Sequence, residues 1–176
     1  MVLTTWSTRK APRRLFISEA VNTCPLVNMI LVDYPAYDFK VQTLKGKDQI
    51  FDPCRKKWVL LTPEEWVRQN LIQYLIQVCA YPATLIAIEK TIQLGDLNKR
   101  FDILVYQGEK PWMIIECKES NTPLSDKTIQ QLLQYQQVLE ATYLIASNGH
   151  ETIGAQIKLG NLHALHQFPN YDNLMP

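Results

Sequence analysis

Several features are missing from this sequence, and their absence restricts the classes of protein to which it can belong. No apolar stretch approaches the ~20 residues that a helix needs to span a bilayer. The N-terminus lacks the apolar run and the cleavage site of a signal peptide. The four cysteines form no C-x-x-C pair and have no zinc-site spacing with the histidines: Cys24, Cys54, Cys79 and Cys117. We therefore expect a soluble cytoplasmic protein, without membrane association, whose thiols are reduced.

A large excess of charge of either sign is also missing. The 18 basic and 17 acidic side chains leave a formal net charge of +1, so no general attraction to nucleic acid or to a membrane is predicted. Any contact with nucleic acid must come from a local cluster. A length of 176 residues, of which 47% are hydrophobic, is typical of one compact domain.

The N-terminal segment differs from the rest of the chain. Residues 1–28 contain a basic cluster and interrupting prolines, and they show no hydrophobic period. We expect a poorly ordered extension here, followed by a single domain over residues 29–176. Met29, where the regular sequence begins, is an alternative start of the protein.

From residue 30 onward, the hydrophobic pattern predicts an α/β fold. One helix should begin after Thr62 as N-cap, with Pro63 at its first position, and run to about Cys79. A second helix should begin at Ser125 or Asp126 and end near residue 140. Strands are predicted at 30–41, 49–61, 84–94, 100–106, 112–118, 142–146 and 162–168, with a short helix at 153–158. This order of elements indicates a mixed β-sheet flanked by helices.

Two acids and a lysine form the pattern that carries chemistry. The loop 107–111 is short enough to make the strands on either side antiparallel neighbours. Because alternate side chains of a strand share a face, Asp102 should lie with Leu104, while Glu116 and Lys118 point together. Both acids could then reach one divalent cation, which would activate water for phosphodiester hydrolysis. Lys118 could hold that water or neutralise charge on the phosphate.

Structural explanations compete with this hypothesis. Glu116 and Lys118 alone would be explained as an ordinary ion pair at a strand end, but the apolar residues 113–115 before them indicate a buried strand. Asp102 lies in an apolar strand, where an unpaired aspartate is costly to bury. This position favours a functional role for Asp102.

Two glutamates open the first helix. Glu65 is explained as the acid of a capping box with Thr62. Glu64 shares a helical face with Val67, so we expect it to point toward the sheet as a third acidic group. The alternative is a solvent-facing Glu64 paired with Arg68.

The second helix carries Gln131 and Tyr135 one turn apart, outside its apolar stripe. These side chains could contact a DNA backbone or Lys118. The alternative is that they belong to a polar side of the helix that faces solvent.

Four segments resemble, in their order and spacing, the N-terminal nuclease domain of type I restriction enzyme R (HsdR) subunits, a member of the PD-(D/E)XK nuclease superfamily. The segments are TPEEWVRQ (62–69), RFD (100–102), ECK (116–118) and QLLQY (131–135). The resemblance covers residues 34–149 and implies a restriction-endonuclease-like core. It also implies a catalytic set, in which the D…E-x-K triad is joined by the acid of the first helix and by a Q-x-x-x-Y motif: Asp102, Glu116, Lys118, Glu64, Gln131 and Tyr135. The sequence contains no G-x-x-x-x-G-K-[ST] phosphate loop, so no ATP-driven motor is predicted.

The resemblance and the residue pattern together favour a Mg²⁺-dependent DNA endonuclease, with Mn²⁺ as a substitute and with Asp102, Glu116 and Glu64 as metal ligands. The expected partners are DNA and subunits of a restriction or defence complex. A second copy of this chain is also expected, because a double-strand cut needs two active sites. A carboxylate-pair hydrolase acting on sugars is disfavoured, because it would explain neither Lys118 nor Gln131.

The main alternative is a catalytically silent module of the same fold that binds nucleic acid or a partner protein. It would bind through four basic residues: Lys56, Lys57, Lys99 and Arg100.

Overall fold

The computed structural model describes residues 29–94 and 97–171, which form two β-sheets and two α-helices. The predicted extension over residues 1–28 lies outside the described residues. A three-stranded antiparallel sheet contains β1 (Val41–Leu44), β2 (Lys47–Asp52) and β3 (Lys57–Leu60). The second sheet has six strands in sequential order: β4 (Ile86–Leu94), β5 (Leu97–Gln107), β6 (Lys110–Cys117), β7 (Tyr143–Ser147), β8 (Thr152–Lys158) and β9 (Asn161–Ala164).

Helix α1 (Pro63–Gln77) begins where its sequence predicts. The Thr62 hydroxyl accepts a hydrogen bond from the Glu65 backbone N–H at 3.1 Å, and Pro63 occupies the first turn, where no backbone donor is needed. Its buried side includes Leu71 and Leu75, which pack on one face of the six-stranded sheet. The helix therefore holds its N-terminal acids beside that sheet.

Helix α2 (Asp126–Leu139) covers the opposite face of the sheet, where Leu132 and Tyr135 pack with Ile114 and Leu144. It connects β6 to β7, which pair in parallel, whereas the other neighbours in this sheet are antiparallel. A parallel pair needs such a long crossover. The predicted mixed sheet flanked by helices is confirmed.

Three predicted elements are wrong. The strand predicted at 49–61 is divided into β2 and β3, because a turn at 53–56 reverses the chain and the two strands form an antiparallel pair. Residues 153–158 belong to β8 rather than to a helix, because they pair with β7 on one side and with β9 on the other. The close approach of Ile30 to Gly154, where an added Cβ would lie 3.0 Å from the Ile30 side chain, also depends on this strand. The strand predicted at 30–41 begins only at Val41; before it, Met29 forms an isolated bridge to Ile153.

Among the helices of the described residues, none is long and apolar enough to cross a membrane.

Candidate active site

The candidate site lies where β5 and β6 approach helices α1 and α2. Asp102 belongs to β5, Glu116 is the penultimate residue of β6, and Lys118 follows that strand directly. The backbone N–H of Lys118 donates to the Ser147 carbonyl at 2.9 Å, which extends the pairing of β6 with β7 by one residue. The sheet therefore fixes the backbone on which the charged side chains stand.

The ladder between β4 and β5 is interrupted at Asp102. Ile88 pairs with Ile103, and Lys90 pairs with Phe101, but Glu89 and Asp102 between them do not form a ladder pair. Glu89 has a positive φ of 50°. Regular alternation would place Phe101 and Leu104 on opposite faces, yet both pack in the cluster under α2. The prediction that Asp102 simply shares the face of Leu104 is therefore wrong, since its carboxylate meets Arg68 of helix α1.

Asp102 is buried and both of its carboxylate oxygens accept hydrogen bonds. The Cys117 backbone N–H donates to Oδ2 at 2.7 Å, and Arg68 Nη2 donates to Oδ1 at 3.0 Å. The first bond ties the aspartate of β5 to the backbone between Glu116 and Lys118. This bond brings the two halves of the predicted triad together.

Helix α2 contributes the remaining polar contacts of Glu116. Lys118 Nζ and Gln131 Nε2 each donate to Glu116 Oε1 at 2.7 Å, and Gln131 Nε2 also lies 2.7 Å from the Tyr135 hydroxyl. Tyr135 is buried and packs edge-on against Phe101, with ring centroids 4.6 Å apart. A solvent-facing role for Tyr135 is thus excluded, and Gln131 and Tyr135 form one chain of contacts with Glu116.

This environment raises the pKa of both Glu116 and Lys118, but for different reasons. Burial raises the pKa of Glu116, the charge of Asp102 raises it further, and the hydrogen bond from Lys118 opposes the change. Burial alone would lower the pKa of Lys118, but its hydrogen bond to Glu116 and the charges of Glu116 and Asp102 outweigh that effect and raise it. Lys118 is therefore held in its charged form beside a carboxylate whose ionisation is costly.

The two glutamates of α1 have exchanged their predicted positions. The Glu64 side chain is 43% exposed and pairs with Arg68 at 2.9 Å, so the alternative interpretation of Glu64 describes its surroundings. Glu65 is buried; its side chain accepts hydrogen bonds from Arg55 at 2.7 Å, from Gln69 at 2.8 Å and from Arg68. Of the predicted capping box, the bond from the Glu65 backbone N–H to the Thr62 hydroxyl forms. The Glu65 side chain instead accepts hydrogen bonds from the arginines.

Sequence reasoning missed this network of buried charges. Arg55, in the turn between β2 and β3, donates to Asp52, Glu65 and Glu89. A cavity of about 370 Å³ borders the network and is lined by Arg55, Arg68, Glu64, Glu65 and Glu89 together with residues of β3. A signal was available, since Arg68 and Gln69 adjoin Val67 on the buried side of α1, where apolar residues would be expected.

The donor chemistry of the site fits a hard divalent cation. Asp102 and Glu116 offer carboxylate oxygens, which Mg²⁺ prefers. Burial raises the pKa of Glu116 and repulsion from Asp102 raises it further, and a cation would relieve that repulsion. In the described ranges, no three His, Cys, Asp or Glu side chains form a group that could hold a metal. Arg68 instead lies between the carboxylates of Glu64 and Asp102 and bonds to both.

Comparison with known proteins places these residues in a family. Residues 63–169, more than half of the chain, match the family described as "Type I restriction enzyme R protein N terminus (HSDR_N)". All six predicted site residues lie within that range, whereas the three-stranded sheet lies outside it. A search of curated proteins found no match.

Among solved structures, the chain is similar to a fragment structure of a putative HsdR subunit of a type I restriction enzyme from Vibrio vulnificus. The two share 25% identity over 51% of this chain and 19% of that one, with a TM-score of 0.38. The matched half of this chain thus spans about a fifth of the length of that relative. On the strength of the sequence match, the chain belongs to the family of type I restriction enzyme R protein N termini.

Proposed function

We propose that this chain is a metal-dependent endonuclease domain of the PD-(D/E)XK type, which hydrolyses phosphodiester bonds of DNA. The observation that supports it best is the convergence of Asp102, Glu116 and Lys118 through the Cys117 backbone bond at 2.7 Å and the Lys118–Glu116 bond at 2.7 Å. Asp102 and Glu116 are buried within β5 and β6, and Lys118 is half-buried directly after β6, so three charged groups are desolvated together. Such clusters are typical of functional sites.

The residues divide into two roles. Asp102 and Glu116 would hold Mg²⁺, or Mn²⁺ in its place, and Glu64 would join them if Arg68 released it. The bound ion would lower the pKa of a water and stabilise the charge that develops on the phosphate. Lys118, charged and 2.7 Å from Glu116, would orient the water or neutralise a phosphate oxygen. Gln131 and Tyr135 would act as positioning residues that hold Glu116 in place.

The partners of the domain follow from the same proposal. DNA is the substrate class, and other subunits of a restriction or defence complex would supply target recognition and a motor. Two copies of the domain would cut two strands, so we expect a homodimer or a pair recruited by such partners, in the cytoplasm. Light scattering of an enzyme that cuts both strands at full rate as a monomer would contradict the dimer.

Cleavage of supercoiled plasmid and of single-stranded DNA, each with Mg²⁺ or Mn²⁺, tests the proposal. We expect the natural protein to cut, and Asp102→Ala and Lys118→Ala each to lose at least about 100-fold in rate, the usual scale for one electrostatic group. Lys110→Ala is the matched control, because this exposed lysine lies at the opposite end of β6. Circular dichroism and urea unfolding must show that each variant folds.

A binding module without catalysis would give a different result. It would show no cleavage with either metal, and DNA binding would survive Asp102→Ala but fall when Lys56, Lys57 and Arg100 are replaced. These three residues are exposed, whereas the side chain of Lys99 lies outside the described part. The engagement of Asp102 by Arg68 is the observation that favours this alternative.

A further inference from the structure

Arg68 occupies an unusual position for an arginine. Its side chain is only 3% exposed, and its guanidinium contacts three carboxylates: Nη2 donates to Asp102 at 3.0 Å and to Glu64 at 2.9 Å, and Nη1 donates to Glu65. A buried cation must be compensated by such partners, because desolvation disfavours its charge. The neighbouring carboxylates, Asp102 first among them, raise the pKa of Arg68, so the guanidinium is always charged.

The arrangement leaves one donor of Arg68 without a partner. Among the described residues, none accepts a hydrogen bond from its buried Nε. An unsatisfied buried donor is costly, so the hydrogen bonds of the guanidinium are not all satisfied in this position.

We propose that Arg68 is the resident counter-cation of the carboxylate site and that it competes with a divalent cation for Asp102. Oδ1 of Asp102 accepts from Arg68, while Oδ2 accepts from the Cys117 backbone. A cation that binds Asp102 must therefore share Oδ1 with the guanidinium or displace it. In either case the two positive charges repel each other at close range, so Arg68 weakens metal binding and stabilises the metal-free domain.

The neighbouring arginine offers a matched comparison. Arg55 is also buried and also contacts Glu65, but its other carboxylate partners are Asp52 and Glu89 rather than Asp102. Both arginines hold the same network together, and only Arg68 touches the proposed metal ligand. Removal of either should destabilise the fold, whereas removal of Arg68 should change metal affinity more than removal of Arg55.

The experiment measures Mn²⁺ binding to the full chain by isothermal titration calorimetry and by electron paramagnetic resonance, without DNA. Removing a unit charge from within a few ångströms of a divalent cation changes its affinity by at least about tenfold, even at the dielectric constant of water. We therefore expect Arg68→Met to bind Mn²⁺ at least about tenfold more tightly than the natural protein. Arg55→Met should gain clearly less than Arg68→Met, because Arg55 pairs with Asp52, Glu65 and Glu89 and not with Asp102.

The proposal rests on the metal site of the proposed function, and Asp102→Asn separates the two. If Asp102→Asn abolishes Mn²⁺ binding but Arg68→Met binds no more tightly than the natural protein, the role of Arg68 is overturned and the metal site stands. If neither the natural protein nor Arg68→Met binds Mn²⁺ in a way that depends on Asp102, both are overturned. Should Arg68→Met not fold, Arg68→Met/Glu65→Gln is compared with Glu65→Gln alone, and the same gain is expected between these two, because they differ only in the Arg68 side chain.

Discussion

Arg55 joins the three-stranded sheet to helix α1 and to strand β4, and its replacement by methionine should markedly destabilise the domain. Its Nε donates to Asp52 at 2.7 Å, its Nη2 donates to Glu65 at 2.7 Å, and its Nη1 donates to Glu89. Only 11% of the side chain is exposed. Methionine preserves much of the apolar stem and removes all of these donors.

The size of the loss follows from the burial of the partners. Asp52 and Glu65 are both buried, and removing one member of a buried ion pair costs about 3–5 kcal/mol. Gln69 Nε2 still donates to each of these carboxylates at 2.8 Å, so we expect the lower end, about 3 kcal/mol. For a domain of this size, that corresponds to a fall in Tm of roughly 6–12 °C.

Urea unfolding followed by tryptophan fluorescence measures this difference, and Arg100→Met is the matched control. Arg100 also pairs with Glu89, at 3.7 Å, but its side chain is 62% exposed, so its removal should cost less than about 1 kcal/mol. If Arg55→Met and Arg100→Met lower the free energy of unfolding equally, the buried contacts of Arg55 do not stabilise the packing of the three-stranded sheet against helix α1.

Two further predictions concern Glu116 and its neighbours. Because burial, and next Asp102, raise the pKa of Glu116, the stability contributed by the neutral group is present below its ordinary pKa of 4.5 and is lost as pH rises through the raised value. In EDTA, Glu116→Gln should therefore gain stability relative to the natural protein as pH rises above 4.5, and urea unfolding that shows a constant difference would contradict this. Tyr135→Phe removes the hydroxyl that lies 2.7 Å from Gln131 and should cost about 1 kcal/mol in stability and slow plasmid cleavage. Tyr106→Phe, which removes a contact with the exposed Lys90, should leave cleavage unchanged, and equal rates in the two variants would argue against a role for Tyr135.

Much of the local structure could be predicted because its causes lie within a few residues. Thr62 and Pro63 begin α1, and the loop 107–111 makes β5 and β6 antiparallel, as their sequences indicate. The Lys118–Glu116 contact follows from the two-residue period of an extended backbone. The four segments that resemble the family lie largely within the matched residues 63–169, so the match supports their identification.

Other features depended on partners distant in sequence. Residues 153–158 carry a weak helical pattern, but pairing with β7 and β9 makes them a strand, since tertiary contacts outweigh local propensity. The face of the sheet to which Asp102 points likewise depends on the interruption of the ladder opposite Glu89. Neither effect leaves a trace in the spacing of nearby residues.

Hydrophobic period, capping residues and short loops act locally, so the fold class, the family and the residues that carry charge into the sheet could be predicted from the sequence. Which glutamate of α1 is buried, and which cation neutralises it, depends instead on how the helix packs on the two sheets. Glu64 and Glu65 are equally compatible with the first turn of a helix, and the choice between them depends on Arg55, ten positions before Glu65. Arg68 reaches Asp102 across 34 positions, and a contact of that separation exists only after the helix has packed on the sheet.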